Sequence, residues 1–119
     1  RKMGLFRHGS MDKVEYAYNV YIKHFDQLVN RKSPVILELG PGDSLSTALF
    51  SLAHDCGTTY MIDVGDFANR ELENYRIVQD YLSNIILNNK LSDLQITSIN
   101  EMLNYCNAEY FTDGFESLK

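Results

Sequence analysis

The chain has 119 residues, enough for one domain and one modest core. Its hydrophobic share of 45% is that of an ordinary globular protein, no eighteen-residue apolar run is available to span a membrane, and a net charge of -5 disfavours a nucleic-acid backbone as partner. Cys56 and Cys106 lack CxxC spacing and read as free, buried thiols of a reducing compartment; with no Asn-x-Ser/Thr sequon and no apolar core behind Arg1, Lys2 and Arg7, a cytoplasmic location is expected.

Residues 1–11 read as an irregular arm. Asp12 and Glu15 have capping-box spacing, and Val14, Ala17, Tyr21, Phe25 and Leu28 recur at helical intervals, so the pattern predicts a helix over 13–29 that stops before Pro34. Val35 to Leu39 form a strand with almost no polar alternation, which predicts cover on both faces. A glycine turn spans 40–44. Leu45, Ala48, Leu49, Leu52 and Ala53 then share one helical face, with Gly57 as the expected stop. Thr58 to Asp63 form the next strand, and Gly65-Asp66 is turn chemistry. Leu72, Tyr75, Val78, Leu82 and Ile85 mark a helix over about 69–88. Leu91 to Thr97 is ambiguous, with Leu94 and Ile96 alternating as in a short extended piece. Ser98 and Glu101 form a second capping box before Met102, Leu103 and Cys106, and Glu109 to Thr112 read as a third strand closed by Asp113-Gly114.

The chemistry concentrates in Glu38-Leu39-Gly40-Pro41-Gly42-Asp43-Ser44 and in Asp63. A glycine turn between strand and helix lets a ligand lie against bare backbone, and the helix behind it offers unpaired N–H groups. Asp63, at the tip of the following strand, is placed to accept hydrogen bonds from ribose hydroxyls. Glu38, at the end of an apolar strand, is costly to bury unless something polar meets it. A dinucleotide fingerprint wants G-x-G-x-x-G, and the third glycine is absent here. Acids at Glu38 and Asp43 are poor neighbours for a pyrophosphate and good ones for a cation.

This pattern resembles the first motif of the class I S-adenosylmethionine-dependent methyltransferases: an acid, any residue, then G-x-G and a small residue, matched by Glu38, Gly40, Gly42 and Ser44. The resemblance implies a three-layer, Rossmann-like α/β fold with a parallel sheet. It implies that Gly40, Pro41, Gly42 and Ser44 wrap the methionine part of S-adenosylmethionine, that Asp63 binds its ribose, and that Val64 and Gly65 lie along the adenine. An acid after the third strand would meet the adenine amino group; the match falls on Asp113-Gly114, one position early. The stretches ELGPGDSLSTAL and MIDVGDFA are also similar to bacterial methyltransferases found with sugar and surface-polysaccharide biosynthesis. The expected activity is methyl transfer to a small-molecule or sugar acceptor, with no metal and no assignable general base.

The resemblance covers the first half of such a fold, so the expectation is an N-terminal part of one methyltransferase domain, truncated after its third strand. Residues 1–32 would form an arm and helix, and 33–119 the cofactor-binding half. Without a fourth strand, Val35–Leu39 would expose an apolar edge that other sequence or a second copy covers. Two alternatives stand beside this reading: a dinucleotide-binding oxidoreductase domain, and a non-catalytic scaffold or oligomerisation module. His24 and His54 read as surface residues and His8 as part of the arm. Tyr16, Tyr18 and Tyr21 read either as helix packing or as a wall of the site.

Overall fold

A computed structural model describes residues 10–25 and 33–114. The elements run α1 (Ser10–Phe25), β1 (Val35–Leu39), α2 (Ser46–Ala53), β2 (Thr58–Ile62), α3 (Leu72–Ile85), α4 (Asn89–Asp93), α5 (Ile99–Tyr105) and β3 (Ala108–Phe111). The expected arm as far as residue 9, the continuation of α1 to 29 and the side chains of Phe25 and Leu28 lie outside the described residues. Helix α1 begins at Ser10, so Asp12 falls inside its first turn and is not its cap.

The three strands form one parallel sheet in the order β1-β2-β3. Val35 pairs with Thr58 and Leu39 with Ile62, while Thr59 pairs with Ala108 and Ile62 with Phe111. Each strand therefore lies beside its neighbour in sequence, with helices making the crossovers, as parallel pairing requires. The core sits on one face. Met61 and Ala108 from the sheet pack with Leu45, Ala48 and Leu49 before and in α2, Tyr75, Val78 and Leu82 in α3, and Met102 in α5. The described residues thus supply two of the three expected layers.

The opposite face of β1 is open. Val35, Leu37 and Leu39 are 60%, 58% and 57% exposed, which corrects the expectation of a strand covered on both sides. Among the described residues no strand pairs with the outer edge of β1. An apolar strand can thus arise at a sheet margin as well as at a sheet centre, because composition reports affinity for burial and not whether a partner is present.

Other differences have local causes. Helix α2 ends at Ala53, and the left-handed residue after it is Asp55 at φ 58°, not Gly57. Gly57 serves close approach: a Cβ there would sit 2.7 Å from the Ser33 carbonyl oxygen. Residues 91–97 hold no strand. Asn88 caps the short α4 by accepting from the Leu91 N–H at 3.2 Å, and Leu94 and Ile96 are buried in an irregular segment after it. The capping box before α5 is half realised: Ser98 accepts from the Glu101 N–H at 3.0 Å, while the Glu101 carboxylate takes the Thr97 hydroxyl.

Candidate functional site

Because Leu39 and Ile62 are register partners, the glycine turn and Asp63 leave the sheet side by side. The Gly40 N–H donates to the Ile62 carbonyl at 2.7 Å, carrying the pairing one residue past the strand. Gly40 and Gly42 have φ of 70° and 72°, left-handed values that side chains resist, and a Cβ at either would meet nothing within 4 Å. Glycine is required there by the backbone, and the space over the turn is open.

Asp63 holds this turn. Its Oδ2 accepts from the Gly42 N–H at 2.9 Å and its Oδ1 from the Val64 N–H at 2.8 Å. The Gly114 N–H donates to the Asp63 carbonyl at 2.8 Å, and the Tyr110 hydroxyl donates to the Gly65 carbonyl at 3.4 Å. Asp113 and Gly114 are thereby drawn against Asp63, Val64 and Gly65. From the other side the Asn69 N–H donates to the Asp43 carbonyl at 2.8 Å. The Tyr75 hydroxyl donates to the Asn69 carbonyl at 2.7 Å and accepts from the Leu45 N–H at 3.2 Å.

Glu38 lies on the core side of β1, one residue before its end. Its Oε1 is buried with no hydrogen-bond partner. Burial pushes the carboxyl above the usual carboxylate range; a hydrogen bond with the Thr47 side chain opposes this, and the nearby Asp63 charge adds to it. All the expected site residues therefore stand at one end of the sheet, in two groups. Asp63, Val64, Gly65, Asp113 and Gly114 surround the tips of β2 and β3. Glu38, Pro41 and Ser44 face a cleft of about 720 Å³ between α1, β1 and the start of α2. Gly40 and Gly42 join the two groups through the turn.

Several contributors went unread in the sequence. Lys13 on α1 pairs with Asp43 of the turn at 3.6 Å. Thr47 reaches Glu38 from the first turn of α2. Tyr75 was legible only as a stripe position; its hydroxyl is what ties α3 to the turn. His54 is not a free surface residue, since it is hydrogen-bonded to the Tyr18 hydroxyl at 2.6 Å and stacked on its ring at 5.7 Å. Tyr18 and Tyr21 pack α1 onto α2, while Tyr16 is exposed along the cleft. Cys106 is a core thiol, raised to about 12 by burial, whereas Cys56 is half-buried with its sulfur 3.3 Å from the Tyr21 hydroxyl. No described helix is long and apolar enough to cross a membrane.

No family model, no curated protein and no solved structure matches this chain.

Proposed function

We propose that this chain is the S-adenosylmethionine-binding half of a cytoplasmic, class I-type methyltransferase domain with a three-layer Rossmann-like sheet, acting on a small-molecule or sugar acceptor. The observation that carries the reading is the open left-handed Gly40–Gly42 turn beside two carboxyls of different standing. One of these, Glu38, has a buried oxygen without a partner. An ammonium group satisfies such an oxygen and restores the carboxylate's charge. The other, Asp63, uses one bond per oxygen on backbone N–H groups, and a carboxylate has about four acceptor sites, so capacity remains for ribose hydroxyls. The residues present therefore fit the cofactor: Glu38 and the turn for its amino-acid end, Asp63 for its ribose, Val64, Gly65 and Asp113 for its adenine.

Held by Glu38, the glycine turn and Asp63, the cofactor would supply a sulfonium-activated methyl group for in-line transfer to an acceptor. This chain's part is alignment. The turn is fixed by Asp63, and α1 is fixed over the cleft by Lys13–Asp43 and Tyr18–His54, which sets the angle of approach.

Calorimetry with S-adenosylhomocysteine and with NAD tests this. The expected result is S-adenosylhomocysteine binding on the order of 10 μM or weaker, lost at least tenfold in Asp63→Asn, with no NAD binding. Binding of NAD alone overturns the reading in favour of a dinucleotide domain. A scaffold is the second reading, favoured by the bond between Gly42 and Asp63 that already closes the turn on the protein itself; binding of neither ligand selects it.

A further inference from the structure

The glycine turn is gripped on two sides. On one, Asp63 holds the Gly42 N–H. On the other, three hydrogen bonds close a ring through two loops. The Asn69 N–H donates to the Asp43 carbonyl at 2.8 Å, the Tyr75 hydroxyl donates to the Asn69 carbonyl at 2.7 Å, and the same hydroxyl oxygen accepts from the Leu45 N–H at 3.2 Å. The backbone from Asp43 to Leu45 completes the circuit. A phenol has one proton, so donation to Asn69 fixes the direction of the hydroxyl and leaves its lone pairs for Leu45. The Asn69 side chain is engaged locally, accepting from the Glu71 N–H at 2.7 Å just before α3.

The hydroxyl is held from a rigid element. Tyr75 lies in the first turn of α3, whose Val78 and Leu82 are fixed in the core. Tyr75 and Leu45 are both buried, and Leu45 precedes α2 with no side-chain cap, so removing the hydroxyl takes away that N–H's partner inside the core. The two loops joined in this way are those that the cofactor reading, on which the ligand's identity rests, assigns to opposite ends of one molecule. Gly40 to Ser44 would meet its amino-acid end. Asp63, Val64 and Gly65, which begin the loop that runs on to Asn69, would meet its adenosine. A ligand that touches both is held best when their spacing is set before it arrives. We propose that Tyr75 is a positioning residue: its hydroxyl, without touching the ligand, fixes the glycine turn relative to the loop after β2, so that the two ends of one extended ligand are gripped together.

The test is titration of the full chain with S-adenosylhomocysteine by calorimetry and with adenosine by ligand-observed NMR, in the parent and in Tyr75→Phe. The variant keeps the ring in the core and loses only the hydroxyl; circular dichroism verifies its fold. S-adenosylhomocysteine, which spans both loops, should bind about tenfold more weakly, whereas adenosine, which needs only the loop after β2, should keep its affinity within about twofold. Asn69→Pro opens the same ring at an exposed position by removing the Asn69 N–H, should show the same split, and decides the matter if Tyr75→Phe does not fold. Tyr105→Phe loses a hydroxyl bond to the Lys90 carbonyl, at 2.7 Å and away from the turn, and should bind both ligands like the parent. Unchanged S-adenosylhomocysteine binding in the ring variants, an equal loss of both ligands, or a parent that binds S-adenosylhomocysteine but not adenosine overturns the proposal and leaves the cofactor reading standing. A parent that binds neither ligand overturns the cofactor reading and the positioning role with it, so the two failures are distinct.

Discussion

Glu38 shows how a single side chain can oppose the fold it belongs to. Its neutral form is favoured in the folded chain, because burial penalises the charge more than Thr47 relieves it. An acid raised in this way makes the folded state hold more protons than the unfolded state from the usual carboxylate range upward. Stability then falls as pH rises through that window. Glu38→Gln keeps the shape and removes the titration. The variant should be more stable than the parent at pH 7 by about 1 kcal/mol, equivalent to roughly 4–8 °C in Tm. The gain should vanish below pH 4, as followed by thermal melts across pH. The same variant should lose at least tenfold in S-adenosylhomocysteine affinity. A Tm unchanged at every pH would show that the Glu38 carboxyl is not buried in the way described.

At the scale of the element, helix ends separate what a sequence tells locally from what it does not. Ser98→Ala removes one cap bond and should cost about 1 kcal/mol. Asn88→Ala should cost about 2 kcal/mol, because Asn88 both caps α4 and donates to the Leu52 and Ala53 carbonyls at the end of α2, at 3.1 and 3.0 Å. Urea titrations should show both midpoints lowered with the slope unchanged. Ser98 was legible because its partner is three residues away. Asn88 read only as a helix stop, since its other partners lie 35 and 36 residues back in the chain. The same distinction runs through the site. Glu38, the glycines and Asp63 could be picked out because their types and spacing are contiguous signals. Thr47, Tyr75 and the Lys13–Asp43 pair could not, because their meaning arises only when α1, α2 and α3 are packed together. The cover expected on both faces of β1 failed for a related reason: Val35, Leu37 and Leu39 record a preference, and the described residues bring nothing to meet it.

For the whole molecule, that unmet preference has a measurable outcome. A row of three half-exposed aliphatic side chains continues across the sheet to the stacked rings of Tyr60 and Phe111, whose centroids are 6.4 Å apart. Such a surface favours association, and three aliphatic side chains beside two rings are few against the roughly 20–30 residues a side of a stable interface, which makes that association weak. Sedimentation velocity should show self-association only at high concentration, on the order of 100 μM. Leu37→Lys should abolish it without lowering Tm, since the residue is 58% exposed. Loss of folding in that variant would mean instead that Leu37 is covered from within the same chain.

The sequential order of the strands has a consequence of its own. Among the described residues only β2 is hydrogen-bonded on both flanks, to β1 by one ladder and to β3 by the other. Any local opening must therefore peel an outer ribbon first, and either ribbon can leave while the other still holds the middle. Asp63 leads directly out of that middle strand, so the grip on the glycine turn is anchored in the part of the sheet last to come apart.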